Sequence, residues 1–241
     1  MSVLSPILAQ TPVASIDDVV ARMASIDQAL APADGIACFN KLYFEVTKNV
    51  LAGVGHSTFA DPRFLTALDV AFANLYFAAL RAYDAGSPDT PRAWQPLFAD
   101  RGDRTIAPIQ FAIAGMNAHI NRDLPVALLE IFTARGRALD DESPQHADYE
   151  TINKVLAVTE KQVKDSYLDD LARQIDMEFH GVDDVVAIWS VTAAREAAWT
   201  NSGVLWYLRN IGPIERAYVT TLDRTVGFAS RGLLVSTGIP R

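Results

Sequence analysis

Cysteine, histidine and clustered positive charge are all scarce in this chain of 241 residues, which has one cysteine, four histidines and a net charge of −8. Each scarcity excludes something. A lone Cys38 can form neither an internal disulfide nor a multi-cysteine metal centre, and it reads as a small buried hydrophobe. Lys and Arg occur singly, so a phosphate backbone or an anionic membrane surface meets no complementary stripe. No segment alternates with the period of two that marks a half-buried strand. There is no internal repeat, and no glycine-rich loop follows a strand to cradle phosphate. "MSVLSPILAQTPVAS" lacks the basic start and apolar centre of a secretory leader, and no stretch of eighteen residues is free of polar groups. A cytoplasmic protein without membrane or nucleic-acid partners is expected.

What is present is helical. Ser15 followed by Asp18 is a capping box, and Ile16, Val19, Met23, Ile26 and Leu30 recur with helical spacing until Pro32. "ADGIACFNKLYFEVTKNV" restarts the pattern with Phe39, Leu42, Tyr43, Val46 and Val50 on one face. "ADPRFLTALDVAFANLYFAALRAYDAG" has Asp61 as N-cap, Pro62 in the first turn and Gly86 past the end. It is apolar on nearly every side, the mark of a surrounded helix. A polar, Pro-rich connection over 84–104 is expected to be pinned to the body by Trp94. A second all-round apolar helix opens at Thr105, and Pro125 is expected to begin another. An acidic linker, a long amphipathic stretch from Asp148 to His180 ended by Gly181, and two further helices complete the pattern. The expected fold is all-α: residues 1–14 as coil, then 15–241 as one domain of roughly eight helices around two buried central ones.

One stretch breaks the apolar pattern. "AGMNAHINRDLP" continues the second central helix yet contains Asn117, His119, Asn121 and Asp123. His119 and Asp123 are four apart, one turn above each other, so the carboxylate can fix the imidazole tautomer and raise the basicity of its other nitrogen. Asn117 and Asn121 form a second such pair, and Gln110 lies two turns before Asn117. Burying so many polar groups without partners costs a few kcal/mol each, so they must be paired or face a cavity. The structural alternatives are that Asp123 caps the helix of Pro125 and that His119 is a satisfied core residue.

Asp69 is the other anomaly, a carboxylate in an apolar helix with Tyr76 two turns on. Apolar surroundings raise a carboxyl pKa, which suits a general acid. The alternative is a structural ion pair with Arg195, the arginine that interrupts "TAAREAAW". Arg195 can instead hold an anionic ligand by a two-pronged contact, with Trp199 as an aromatic wall. Trp189, Trp199 and Trp206 are otherwise core residues.

The segments "DGIACFNKLYFEVTKNV", "FADPRFLTALDVAFANLYFAAL", "IQFAIAGMNAHINRDLPVAL" and "AREAAW" resemble a bacterial family of uncharacterised all-helical proteins, over about Ile16 to Leu234. The resemblance extends to spiroketal-forming cyclases of polyketide pathways and implies a cyclase or dehydratase of secondary metabolism. The leading expectation is thus a cofactor-free acid–base enzyme acting on an apolar, polyketide-like small molecule. Its catalytic groups are His119, Asp123 and Asp69, with Phe72, Tyr76, Gln110, Asn117, Arg195 and Trp199 around the substrate. A homodimer is allowed. Two alternatives stand beside it. "GMNAHINRDLP" is similar to the G-x-x-x-H-x-x-x-D segment of zinc-dependent phospholipases C, implying a metal hydrolase with His119 and Asp123 as ligands. His56, His146 and His180 sit near turns or linkers, so the rest of that pattern is missing. The other alternative is a non-catalytic small-molecule-binding helical protein.

Overall fold

The computed structural model describes residues 2–9, 12–54, 59–153, 156 and 190–236, and every regular element among them is helical. The order is α1 (Ser5–Leu8), α2 (Ile16–Ala29), α3 (Gly35–Val54), α4 (Pro62–Asp84), α5 (Gln95–Asp100), α6 (Pro108–Ala118), a π-helical turn (His119–Asp123) and α7 (Leu124–Ala134). Helical residues 144–153 form α8, followed by α9 (Val191–Leu208) and α10 (Gly212–Leu233). Trp189, His56, His180, the Gly181 break and most of the Asp148–His180 pattern lie outside the described residues.

Local chemistry sets the boundaries. Ser15 Oγ accepts the Asp18 N–H at 3.1 Å and donates to the Asp18 carboxylate at 2.7 Å, starting α2. Asp61 Oδ1 accepts the Phe64 N–H at 2.9 Å to start α4. Asp148, which the sequence pattern placed at the edge of a surface linker, is buried and accepts the N–H groups of Ala60 and Asp61 at 2.8 and 2.6 Å. Gly86, at φ +65°, closes α4 as anticipated. The first residues are not coil: Leu4 and Leu8, one turn apart, are buried, and Ser5 Oγ donates to Asp84 at 2.6 Å. The Pro-rich connection likewise contains α5, because Trp94, Leu97 and Phe98 share a helical face and are all buried.

The central element is the rod formed by α6, the π turn and α7. Every residue from Ile109 to Ala118 is buried. Pro125 lies in the first turn of α7, as expected, but α7 is not detached from the helix before it. Proline has no N–H to give, and its ring clashes with the carbonyl four residues back. The π turn absorbs this by holding one extra residue: the Leu124 N–H reaches back to the His119 carbonyl, and the rod continues. The other expected central helix, α4, is surrounded less completely. It is long and apolar enough to cross a membrane by length and composition, and half of its most apolar stretch is buried in the bundle.

Two glycines permit the closest approaches. α3 lies against α6, and at Gly115 the Phe39 ring occupies the space a Cβ would need. Gly227 of α10 meets the carbonyl of Arg92 in the same way. There Asp223 accepts the N–H groups of Arg92 and Ala93 at 2.8 and 3.1 Å, fixing the backbone that carries Trp94.

Candidate active site

The π turn points His119 into a box of rings. Phe72 stacks on the imidazole with centroids 3.4 Å apart and planes 5° from parallel. Tyr43, Phe39, Trp94 and Tyr76 surround it at 4.5, 5.8, 5.9 and 6.1 Å. Phe39 owes its place to Gly115. His119 is 1% exposed, so protonating it would bury a cation among hydrocarbon.

One ring nitrogen is anchored. His119 Nδ1 lies 3.1 Å from Asp123 Oδ2, the spacing expected of the i, i+4 pair. That carboxylate is saturated: Trp94 Nε1 donates to Oδ2 at 2.9 Å and Arg122 Nη1 donates to Oδ1 at 2.6 Å. Burial opposes its ionisation, yet Arg122 and the His119 bond outweigh burial and hold Asp123 below the usual carboxylate range. Asp123 therefore does not cap α7 with its side chain. An ionised Asp123 accepts the hydrogen bond of Nδ1–H, which fixes the tautomer with Nε2 as the lone-pair nitrogen. Burial moves the imidazole below its ordinary pKa, against the pull of Asp123, so it is neutral at pH 7. Nε2 is buried and has no hydrogen-bond partner.

His119 forms part of the wall of a narrow apolar cavity of about 60 Å³, between the π turn, α3, α4, α8 and α9. Val46, Leu65, Leu68, Met116 and Leu124 are among the apolar side chains that line it. Among the described residues, two charged side chains share it with His119: Asp69 and Arg195. They are not partners. Asp69 Oδ2 is buried without a hydrogen bond, and desolvation pushes its pKa up from 3.8 to about 7. Arg195 donates through Nε to Asn153 Oδ1 at 2.5 Å and through Nη2 to the Tyr149 carbonyl at 2.8 Å, with its guanidinium over the Tyr149 ring. Those bonds replace the expected Asp69–Arg195 pair. They also leave one guanidinium nitrogen, not a fork, for any ligand.

The other expected site residues go elsewhere. Asn117 Nδ2 donates to the Val226 carbonyl and Ser230 Oγ at 3.2 and 3.0 Å, while Asn121 donates to Asn117. Gln110 accepts the Ala107 N–H and donates to the Leu233 and Val235 carbonyls. Both tie the rod to α10, outside the cavity wall. Trp199 donates to Asp141 at 2.7 Å and packs on Phe132, His146 and Tyr149, the ring over which Arg195 lies. Tyr76 belongs to the ring box, with an unpartnered hydroxyl. Phe72 is in both the box and the cavity wall. Sequence reasoning gave no site role to Tyr43, Phe39, Arg122 or Trp94. Only Trp94 carried a signal, as a lone indole in a polar connection.

The metal reading requires a third ligand near His119 and Asp123, and the described residues contain no group of three histidine, cysteine or acidic side chains able to hold an ion. Asp123 is occupied by its three donors. His146 sits with its Nδ1 2.8 Å from the Asp141 carbonyl.

Compared with known proteins, residues 16–236 match one family, described as a family of unknown function (DUF5995). No curated protein and no solved structure matches the chain.

Proposed function

The chain belongs to that family of unknown function, and from this premise we propose that it is a cofactor-free acid–base enzyme that dehydrates or cyclises a small, largely apolar molecule. The observation that carries the reading is His119 Nε2, an unpartnered basic nitrogen on a cavity wall whose tautomer is pinned from behind by Asp123.

Neutral His119 takes a proton from the substrate, either a carbon acid or an attacking hydroxyl. Asp69, protonated below about pH 7, gives a proton to the departing or carbonyl oxygen. In dehydration the C–H and C–O bonds break, water leaves, and the imidazolium proton returns to Asp69 through the cavity. In cyclisation a hydroxyl oxygen bonds to a carbonyl carbon, and one proton moves from each side. Arg122 keeps Asp123 ionised and Trp94 holds it in place, so the carboxylate steadies the transient imidazolium without taking its proton. The apolar walls exclude bulk water and hold the reacting carbons still.

At about 60 Å³, the space beside His119 is well below the several hundred that surround a whole drug-sized ligand. Only the reacting end of a longer substrate fits beside His119. Spiroketal formation on a polyketide chain is the same proton chemistry, with the remainder of the substrate outside the slot. The test is proton exchange in D₂O, followed by NMR over a panel of small hydroxyketones and 3-hydroxy acids. Wild type should catalyse exchange or water loss, and His119→Gln should lower the rate by about 10²–10⁴-fold. An unchanged rate in that variant defeats the proposal. The second reading, a non-catalytic binder, is favoured by the narrowness of the slot and predicts saturable binding with no exchange in wild type.

A further inference from the structure

The cavity contains a cation that the mechanism above does not use. Arg195 is 6% exposed, and every ion pair among the described residues leaves it out. Its hydrogen bonds are to an amide oxygen and a carbonyl, both neutral, through Nε and Nη2. Among the described residues Glu150 acts on it electrostatically, but Glu150 receives a hydrogen bond from Asn153 Nδ2 at 3.0 Å and does not reach the guanidinium within ion-pair distance. A guanidinium cannot shed its proton to escape burial. Buried charges in proteins are paired, and among the described residues this one, held by neutral acceptors beside an apolar slot, has no counter-ion.

We propose that Arg195 is the anchor for the carboxylate of the substrate, and that the substrate class is a short monocarboxylic acid with an apolar body. The assignment of this acid as a substrate rests on the acid–base reading above; the assignment of its binding site does not. The geometry of the wall limits the ligand in three ways. Arg195, His119 and Asp69 line the same cavity, so an acid bound by its carboxylate presents its carbon chain to the imidazole. A space of about 60 Å³ takes roughly four to six water-sized atoms, the scale of a short acyl chain. One free guanidinium nitrogen offsets a single negative charge, whereas a phosphate dianion would bring more charge into hydrocarbon walls than the site neutralises. Asp69 is neutral when protonated and then adds no repulsion; ionised, it opposes binding of an anion.

Calorimetry of the full chain with butyrate, butyramide and inorganic phosphate at pH 6 and pH 8.5 decides the matter. Wild type should bind butyrate at least tenfold more tightly than butyramide, bind phosphate no better than butyramide, and bind butyrate more weakly at pH 8.5. Arg195→Met should abolish the preference for butyrate and leave butyramide binding in place. Equal binding of butyrate and butyramide by wild type overturns the proposal, as does an Arg195→Met protein that keeps the preference. Tight phosphate binding overturns the choice of a monocarboxylate. If Arg195→Met does not fold, Leu65→Trp fills the slot without touching the arginine and should remove butyrate binding; retention there also overturns the proposal. Butyrate held by Arg195 with no proton exchange on any short acid supports the anchor and defeats the enzyme reading, so the two fail separately.

Discussion

Two aspartates meet the surroundings of His119, and they have been given opposite environments. Asp123 is fully buried and accepts from an indole, a guanidinium and an imidazole, and it is held ionised. Asp69 has one oxygen equally buried with no donor at all, and its pKa is about 7. The same functional group thus becomes a fixed negative charge in one place and a reservoir of a proton in the other. The difference arises from partners, since both carboxylates are withdrawn from water.

The largest effect should come from breaking the saturated side. Asp123→Ala leaves the Arg122 guanidinium, the Trp94 N–H and the imidazole without their acceptor, and should cost about 3–5 kcal/mol in urea unfolding at pH 7. The unsaturated side should respond in the opposite direction and only with pH. An acid whose folded pKa is raised contributes stability that is complete below its unfolded pKa of 3.8 and lost as pH rises through about 7. Asp69→Asn should therefore match wild type near pH 4 and exceed it above pH 7, by up to about 4 kcal/mol. An advantage that is constant across pH would show that the carboxyl is not the strained group. Smaller still, Trp94→Phe removes one of three donors to Asp123 and should cost about 1.5–3 kcal/mol, with Asp123 still ionised. The buried imidazole acts the other way from Asp69 below pH 6.5, because the unfolded imidazole takes a proton that the buried one refuses, so its contribution grows as pH rises. Between about pH 4 and 6.5 this gain offsets the Asp69 loss, so wild type should hold nearly level and then fall only as pH passes from 6.5 through about 7, a profile that thermal unfolding across pH checks.

The sequence exposed the helices through period and caps: Ser15, Asp61 and Gly86 each do what their residue types predict. The His119–Asp123 pair was legible for the same reason, because a spacing of four survives the change from α to π turn. Contacts between distant segments were not. Nothing local distinguishes Asn117, which ties the rod to α10, from a ligand-binding amide, and nothing local indicates that Arg195 is taken by Asn153 instead of Asp69. Trp94 reaches Asp123 across 29 residues only because Asp223, from another helix still, holds its backbone. Polar residues announce that they need partners, and the fold alone decides who they are.

The extra residue in the turn His119–Asp123 makes the site depend on counting as well as on chemistry. Deleting one residue between 119 and 123 would let the rod close as ordinary helix with its two halves nearly in register, because the bulge is itself the surplus residue. The imidazole and its carboxylate would then stand three apart, still on one face but meeting at a changed angle. A one-codon deletion would thus re-aim this centre while leaving the surrounding helices in place.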